Sequence, residues 1–165
     1  MKKLFFFLFF LIGCGYKPST LYQQTILGDK IKPVVEIDPK NPRETIFLKD
    51  AVNDAIYSIL GQNVCFKDCN TIMNVSAASS LIYPLDYDEN GLPILYRSKV
   101  VLNVKLTDKN NKNRFYSVTG IYDFRVTSDS VVTDQIKLNA YKRASLNALN
   151  KLFAEITKDG IKNDN

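Results

Sequence analysis

Apolar and polar residues alternate most regularly between positions 94 and 106. Ile94, Tyr96, Val100, Leu102, Val104 and Leu106 share one parity; Arg97, Lys99, Asn103 and Lys105 share the other. A period of two over that length predicts a half-buried strand. Tyr116, Val118, Tyr122, Phe124 and Val126 predict another, with Phe115, Ile121 and Arg125 on its reverse face. The polar stretch 108–113 separates the two, and Asn90-Gly91 supplies a tight turn ahead of the first. Upstream, 71–83 predicts a strand with Met73, Val75, Ala77, Leu81 and Tyr83 on one face. Within it, Ser76-Ala77-Ala78-Ser79-Ser80 is small and weakly patterned, which marks either a bend or the close approach of a partner. A short strand over 31–37 places Ile31, Val35 and Ile37 on one side. It carries Pro33, which cannot donate to a ladder, so it belongs at a sheet edge.

Two segments change the period from two to 3.6. Leu48, Val52, Ala55, Ile56 and Ile59 form the stripe of a helix reaching about residue 60. Its start carries Asn41 as N-cap, Pro42 in the first turn and Glu44 closing a capping box, and Gly61 is its stop. Leu138, Tyr141, Ser145, Ala148, Leu149, Leu152 and Ile156 mark a long final helix, capped at Asp129 or Ser130, running to about residue 158 and ended by Gly160. The order β-α-β-β-β-α predicts an α+β two-layer sandwich, with two helices on one face of a mostly antiparallel four-stranded sheet. No internal repeat or second domain is visible, so 31–160 reads as one domain and 161–165 as a frayed tail.

The first residues obey neither period. Lys2 and Lys3 precede an apolar run over 4–12, less than half of the roughly 20 residues that cross a bilayer. A charged head and a short apolar middle are the form of a secretion signal. Leu11-Ile12-Gly13-Cys14 resembles a lipobox. Cleavage after Gly13 leaves Cys14 first, its thiol carrying diacylglycerol; an ordinary signal peptide or a stubby anchor is the alternative. Residues 1–13 are then a lipoprotein signal peptide, and 14–30, polar and turn-rich, a lipidated tether. Gly15 rather than Asp follows Cys14; Asp there resembles an inner-membrane retention signal, so its absence points to the outer membrane.

Composition narrows the chemistry. Removing 1–13 takes two lysines and lowers the formal charge from +5 to +3. That suits a body near anionic lipid and calls for no nucleic acid. The 152 residues left are enough for one core. The chain has no histidine, which excludes Ser-His-Asp and Cys-His catalysis and most zinc sites. Neither a Gly-rich phosphate loop nor an EF-hand spacing occurs, and no cofactor or metal is expected. Asp86, Asp88 and Glu89 are adjacent carboxylates without the separated environments that acid–base work needs. With Cys14 acylated, Cys65 and Cys69 remain: a disulfide in an oxidising compartment, or two reduced thiols. So short a loop gains only about 2 kcal/mol by closing.

The lipobox, the start Cys14-Gly15-Tyr16-Lys17 and the β-α-β-β-β-α order over the mature chain together resemble the LptE/RlpB family of lipopolysaccharide-assembly lipoproteins. The resemblance implies a non-enzymatic plug inside the outer-membrane β-barrel LptD, helping it fold and contacting lipopolysaccharide or lipooligosaccharide. It draws attention to the sheet face that mixes Arg97, Lys99, Lys105 and Arg125 with Val101, Phe115 and Ile121, a partner surface or an ordinary solvated face. It draws attention also to Lys109, Lys112 and Arg114, whose cations suit lipid A phosphates; a solvated turn is the alternative. The tip Asp86-Tyr87-Asp88-Glu89-Asn90-Gly91 departs from the family. A member of that family carries a basic residue beside Asn-Gly, whereas this tip is acidic, so no glycolipid contact carries over to Glu89. Another periplasm-facing lipoprotein, such as a lysozyme inhibitor or a transporter accessory subunit, would share the lipobox and a small α+β body.

Overall fold

The strand with the cleanest alternation, β3 (Pro93–Asp108), is an interior strand of the sheet. The structure is a computed structural model and describes residues 26–36, 42–127 and 130–163. Cys14, the lipobox, Ile37, Asn41 and Asp129 lie outside the described residues, and the side chain of Glu44 is likewise not described. With β1 (Ile31–Glu36), β2 (Thr71–Tyr87) and β4 (Asn113–Arg125), β3 forms a four-stranded sheet in the order β1-β2-β3-β4. β1 is parallel to β2; the other pairs are antiparallel. Helices α1 (Pro42–Leu60) and α2 (Asp134–Asn163) complete the β-α-β-β-β-α order. The α+β sandwich expected from the sequence is the fold.

A single core joins both helices to one face of the sheet. β2 contributes Met73 and Val75, and β3 contributes Val100, Leu102, Val104 and Leu106, all fully buried. Opposite them stand Ala51, Val52, Ala55 and Ile56 of α1 and Ala144, Ala148, Leu149, Leu152 and Ile156 of α2. Each large side chain sealed this way is worth about 1.5–3 kcal/mol. Pro33 does sit at the sheet edge. The Thr71 N–H donates to the Lys30 carbonyl at 3.2 Å, whereas Ile31 turns its carbonyl outward to the Cys65 N–H at 2.9 Å. Odd positions of β1 therefore face away from β2, and the N–H that proline lacks is not missed there.

Five sequence expectations change. Leu81 and Tyr83 leave the core face: they are 57% and 37% exposed. The register slips between Ala77 and Ser79, and one extra residue reverses the parity of everything beyond it. Ile82 packs against the core in their place. The small-residue run is thus a bulge, and β2 continues to Tyr87 rather than residue 83. α2 begins at Asp134, not near Ser130. Ser130 is bound to Thr127 instead, N–H to carbonyl at 2.8 Å, and Thr133 caps the helix by accepting the Ile136 N–H at 3.3 Å. Gly160 does not stop α2, which runs on to Asn163. A glycine ends a helix by turning left-handed; Gly61 does so with φ 50°, and Gly160 does not. Finally, Ile26 and Leu27, read from the sequence as tether, are buried in the core.

Two interior details yield predictions. The hydroxyls of Ser98 and Ser145 are buried and have no hydrogen-bond partner among the described residues. Ser145→Ala removes that uncompensated desolvation and adds helix propensity in α2. We expect a gain of about 1 kcal/mol by urea denaturation; a loss would mean the hydroxyl is satisfied.

At the far end of α2, the Tyr116 hydroxyl donates to Asp159 at 3.1 Å. Burial, and then this bond, push the phenol up to about 12. An acid whose pKa is raised by folding stabilises below its unfolded value, and the contribution disappears as pH climbs from 10.0 to about 12. Tyr116→Phe should therefore remove a late-titrating phenol from the tyrosinate absorbance curve.

Candidate partner surface on the open face of the sheet

Both helices lie on one side, so the other side of the sheet has no covering element among the described residues. Register builds this face in rows across β2, β3 and β4. Leu81, Lys99 and Ile121 form one row; Tyr83, Arg97 and Asp123 the next. Further along come Ser79-Val101-Thr119, Ser76-Asn103-Ser117 and Asn74-Lys105-Phe115. Side chains directly opposite in an antiparallel pair share a face, so these residues form one continuous surface. Phe115 is 72% exposed, and Leu81, Ile121 and Tyr83 are also exposed.

Charges are set among these apolar groups. Arg97 donates to both carboxylate oxygens of Asp123 at 2.7 Å, the bidentate geometry that suits a guanidinium. Those bonds hold the Asp123 carboxyl below its ordinary value and raise Arg97, so both stay ionised. Lys105 Nζ lies 5.9 Å from the Phe115 ring centroid, within cation–π range. A partner meeting this face encounters a fixed ion pair and aromatic and aliphatic groups that lose water on contact.

The structure places Arg97, Lys99, Lys105 and Phe115 on one face, with Lys105 and Phe115 paired four rows along from Arg97; Arg125 lies at the end of the same face, opposite Leu95. It separates the remaining sequence candidates from them. Lys109 and Lys112 are exposed in the β3–β4 turn, beyond the end of the sheet. Arg114 belongs to β4, pairs with the buried Leu106 and therefore lies on the helix side, 3.9 Å from Asp108. Cys65 and Cys69 are bonded to each other, Cα atoms 5.9 Å apart. Leu81, Tyr83 and Asp123 were missed. The signal for the first two is the unpatterned Ser76–Ser80 run, and for Asp123 only the strand register.

On the helix side, a cleft of about 790 Å³ opens between the β2–β3 hairpin and the start of α2, lined by Ile82, Tyr96, Val131, Val132, Lys137 and Tyr141. Among the described residues, no group of three metal-ligating side chains occurs and no helix is long and apolar enough to cross a membrane.

The sequence matches no family model and no curated protein. Solved structures match by fold. Rare lipoprotein B from Shewanella oneidensis aligns with a TM-score of 0.52 over 82% of this chain and 99% of its own, at 9% identity. A Caulobacter crescentus CB15 protein assigned as a lipoprotein aligns with a TM-score of 0.50 over 87% and 98%, at 11% identity. At such identities the fold is what is shared. This chain has the α+β fold seen in bacterial lipoproteins. In particular, it is similar in fold to rare lipoprotein B, the RlpB of the LptE/RlpB resemblance.

Proposed function

We propose that the chain is a non-enzymatic, lipid-anchored protein of the Gram-negative outer membrane, facing the periplasm or a barrel lumen. In this reading it supports transport of lipopolysaccharide or lipooligosaccharide to the cell surface, as plug and assembly partner of the LptD β-barrel. The observation that carries it is the uncovered sheet face, with Leu81 and Ile121 exposed in the row beside the Arg97–Asp123 pair and Phe115 exposed four rows along from it. Large apolar groups exposed on a face that no element covers, with charge set among them, mark a protein contact. The lipobox at Cys14 and the rare-lipoprotein-B fold support the same reading.

Detergent extraction followed by affinity purification tests it. Stoichiometric recovery of a heat-modifiable barrel, with loss of surface glycolipid on depletion, is expected. Recovery of a soluble enzyme or an inner-membrane transporter would replace this reading with that of an inhibitor or a transporter accessory subunit. Cys14→Ser should release a folded body into the periplasm, seen by fractionation and an unchanged melting temperature. A body that unfolds on that change contradicts the tether.

A further inference from the structure

Exposed cations gather at one end of this molecule. β3 enters the sheet at Pro93 and leaves at Asp108, about 50 Å away at the rise of an extended strand. Its two hairpins therefore lie at opposite ends. The β2–β3 tip carries Asp86, Asp88 and Glu89, whereas the β3–β4 turn exposes Lys109 and Lys112.

Three other segments end beside that basic turn. Thr71 is opposite Asp108 in the register, and the Asn70 N–H donates to the Lys30 carbonyl at 2.7 Å. The chain coming from residues before Ile26 thus joins the body here. The Cys65 N–H bound to Ile31 brings in the Cys65–Cys69 loop, where Phe66 is 75% exposed and Lys67 is exposed beside it. α2 runs antiparallel to β4: Asn147 reaches the Ile121 carbonyl, Lys151 that of Thr119, and Asp159 reaches Tyr116. Its last turns therefore deliver Lys158, Ile161 and Lys162, all exposed, to the same end. Of the acids there, Asp108 accepts the Asn110 and Lys112 N–H groups and Asp159 accepts from Tyr116. Asp29, Asp68 and Glu155 are exposed and outnumbered.

We infer that this end is a docking face for an anionic phospholipid surface. Lys67, Lys109, Lys112, Lys158 and Lys162 meet the headgroup phosphates, and Phe66 inserts between them. Charge favours that occupant. So does the place where the preceding chain joins the body: if Cys14 is acylated, as proposed above, residues 15–25 span at most about 40 Å, and the basic end is the one held at the bilayer. The acidic hairpin tip then stands away from the membrane.

The chain has no tryptophan, so Phe66→Trp supplies a single reporter. In the acylated protein reconstituted with phosphatidylglycerol vesicles bearing brominated chains, its emission should shift to the blue and be quenched. In neutral phosphatidylcholine vesicles it should do neither. High salt, or Lys109→Glu with Lys112→Glu, should abolish the quenching while the protein still sediments with the vesicles through its anchor. Tyr87→Trp, at the acidic tip, should stay unquenched throughout. Equal emission of the Phe66→Trp protein in both lipids, or quenching of the Tyr87→Trp protein instead, overturns the docking face. Failure to sediment with neutral vesicles sinks the acyl anchor alone. Docking is then read from the full chain carrying Cys14→Ser, whose affinity for phosphatidylglycerol should fall roughly tenfold or more with the two Lys→Glu changes; an unchanged affinity overturns it.

Discussion

Gly120→Val will unseat α2 from the sheet and cost about 3 kcal/mol, roughly 10 °C of melting temperature for a body this size. The reason is backbone proximity. A Cβ at Gly120 would overlap the carbonyl oxygen of Ala144 and sit 2.5 Å from the Ala148 nitrogen. Neither contact is with a side chain that can swing aside, so the helix must lift. Ala140, Ala144 and Ala148 are all fully buried, and their small size is what lets α2 lie so close to β4. Lifting it also strains the Lys151 bond to the Thr119 carbonyl and the Asn147 bond to that of Ile121. Gly61→Ala is the control. Open space surrounds that position, and only its φ of 50° resists a side chain, a cost of about 1 kcal/mol. Urea midpoints for the two variants check the contrast; equal losses would show that the α2–β4 approach is not what Gly120 protects.

Leu81→Asp and Phe115→Asp carry the second large expected effect, and it is on binding. Both side chains stand on the open face, 57% and 72% exposed, so each change should leave stability within about 0.5 kcal/mol. If the face is the partner surface, each should weaken retention of the barrel by 2 kcal/mol or about 30-fold, as removal of a buried interface anchor does. Co-purification yields set beside melting curves separate the cases. Falling stability would return Leu81 to the core that its odd-numbered position suggested. Unchanged retention would make the face solvated surface.

Most of the architecture was written in local pattern. The alternation through Val100, Leu102, Val104 and Leu106 names the buried side of β3 outright, because the other parity carries Arg97, Lys99, Asn103 and Lys105. Pro33 identifies β1 as an edge for a chemical reason that needs no neighbours, the missing N–H. The stripe of α1 from Leu48 to Ile59 and its stop at Gly61 were equally legible. The open face was half legible: Lys99, Lys105, Phe115 and Ile121 follow from the same parity as the core. Leu81 and Tyr83 were not, since a bulge at Ala77–Ser79 shifts every later residue by one, and nothing in a run of small side chains says that it contains an extra residue. Ile26 and Leu27 escaped because two apolar residues have no period.

By itself, the sequence determined the element order, the edge position of β1, and the buried side of β3 and β4. These depend on residue identity and on spacing within one element, which neighbours do not alter. Tertiary structure alone decided the rest. It turned β2 over at the bulge, pressed the backbone of α2 onto Gly120, paired Arg97 with Asp123, and collected Phe66, Lys109 and Lys162 at the end where the chain joins the body. Each of these is a relation between residues far apart in the chain, set by how strands align and how closely surfaces pack.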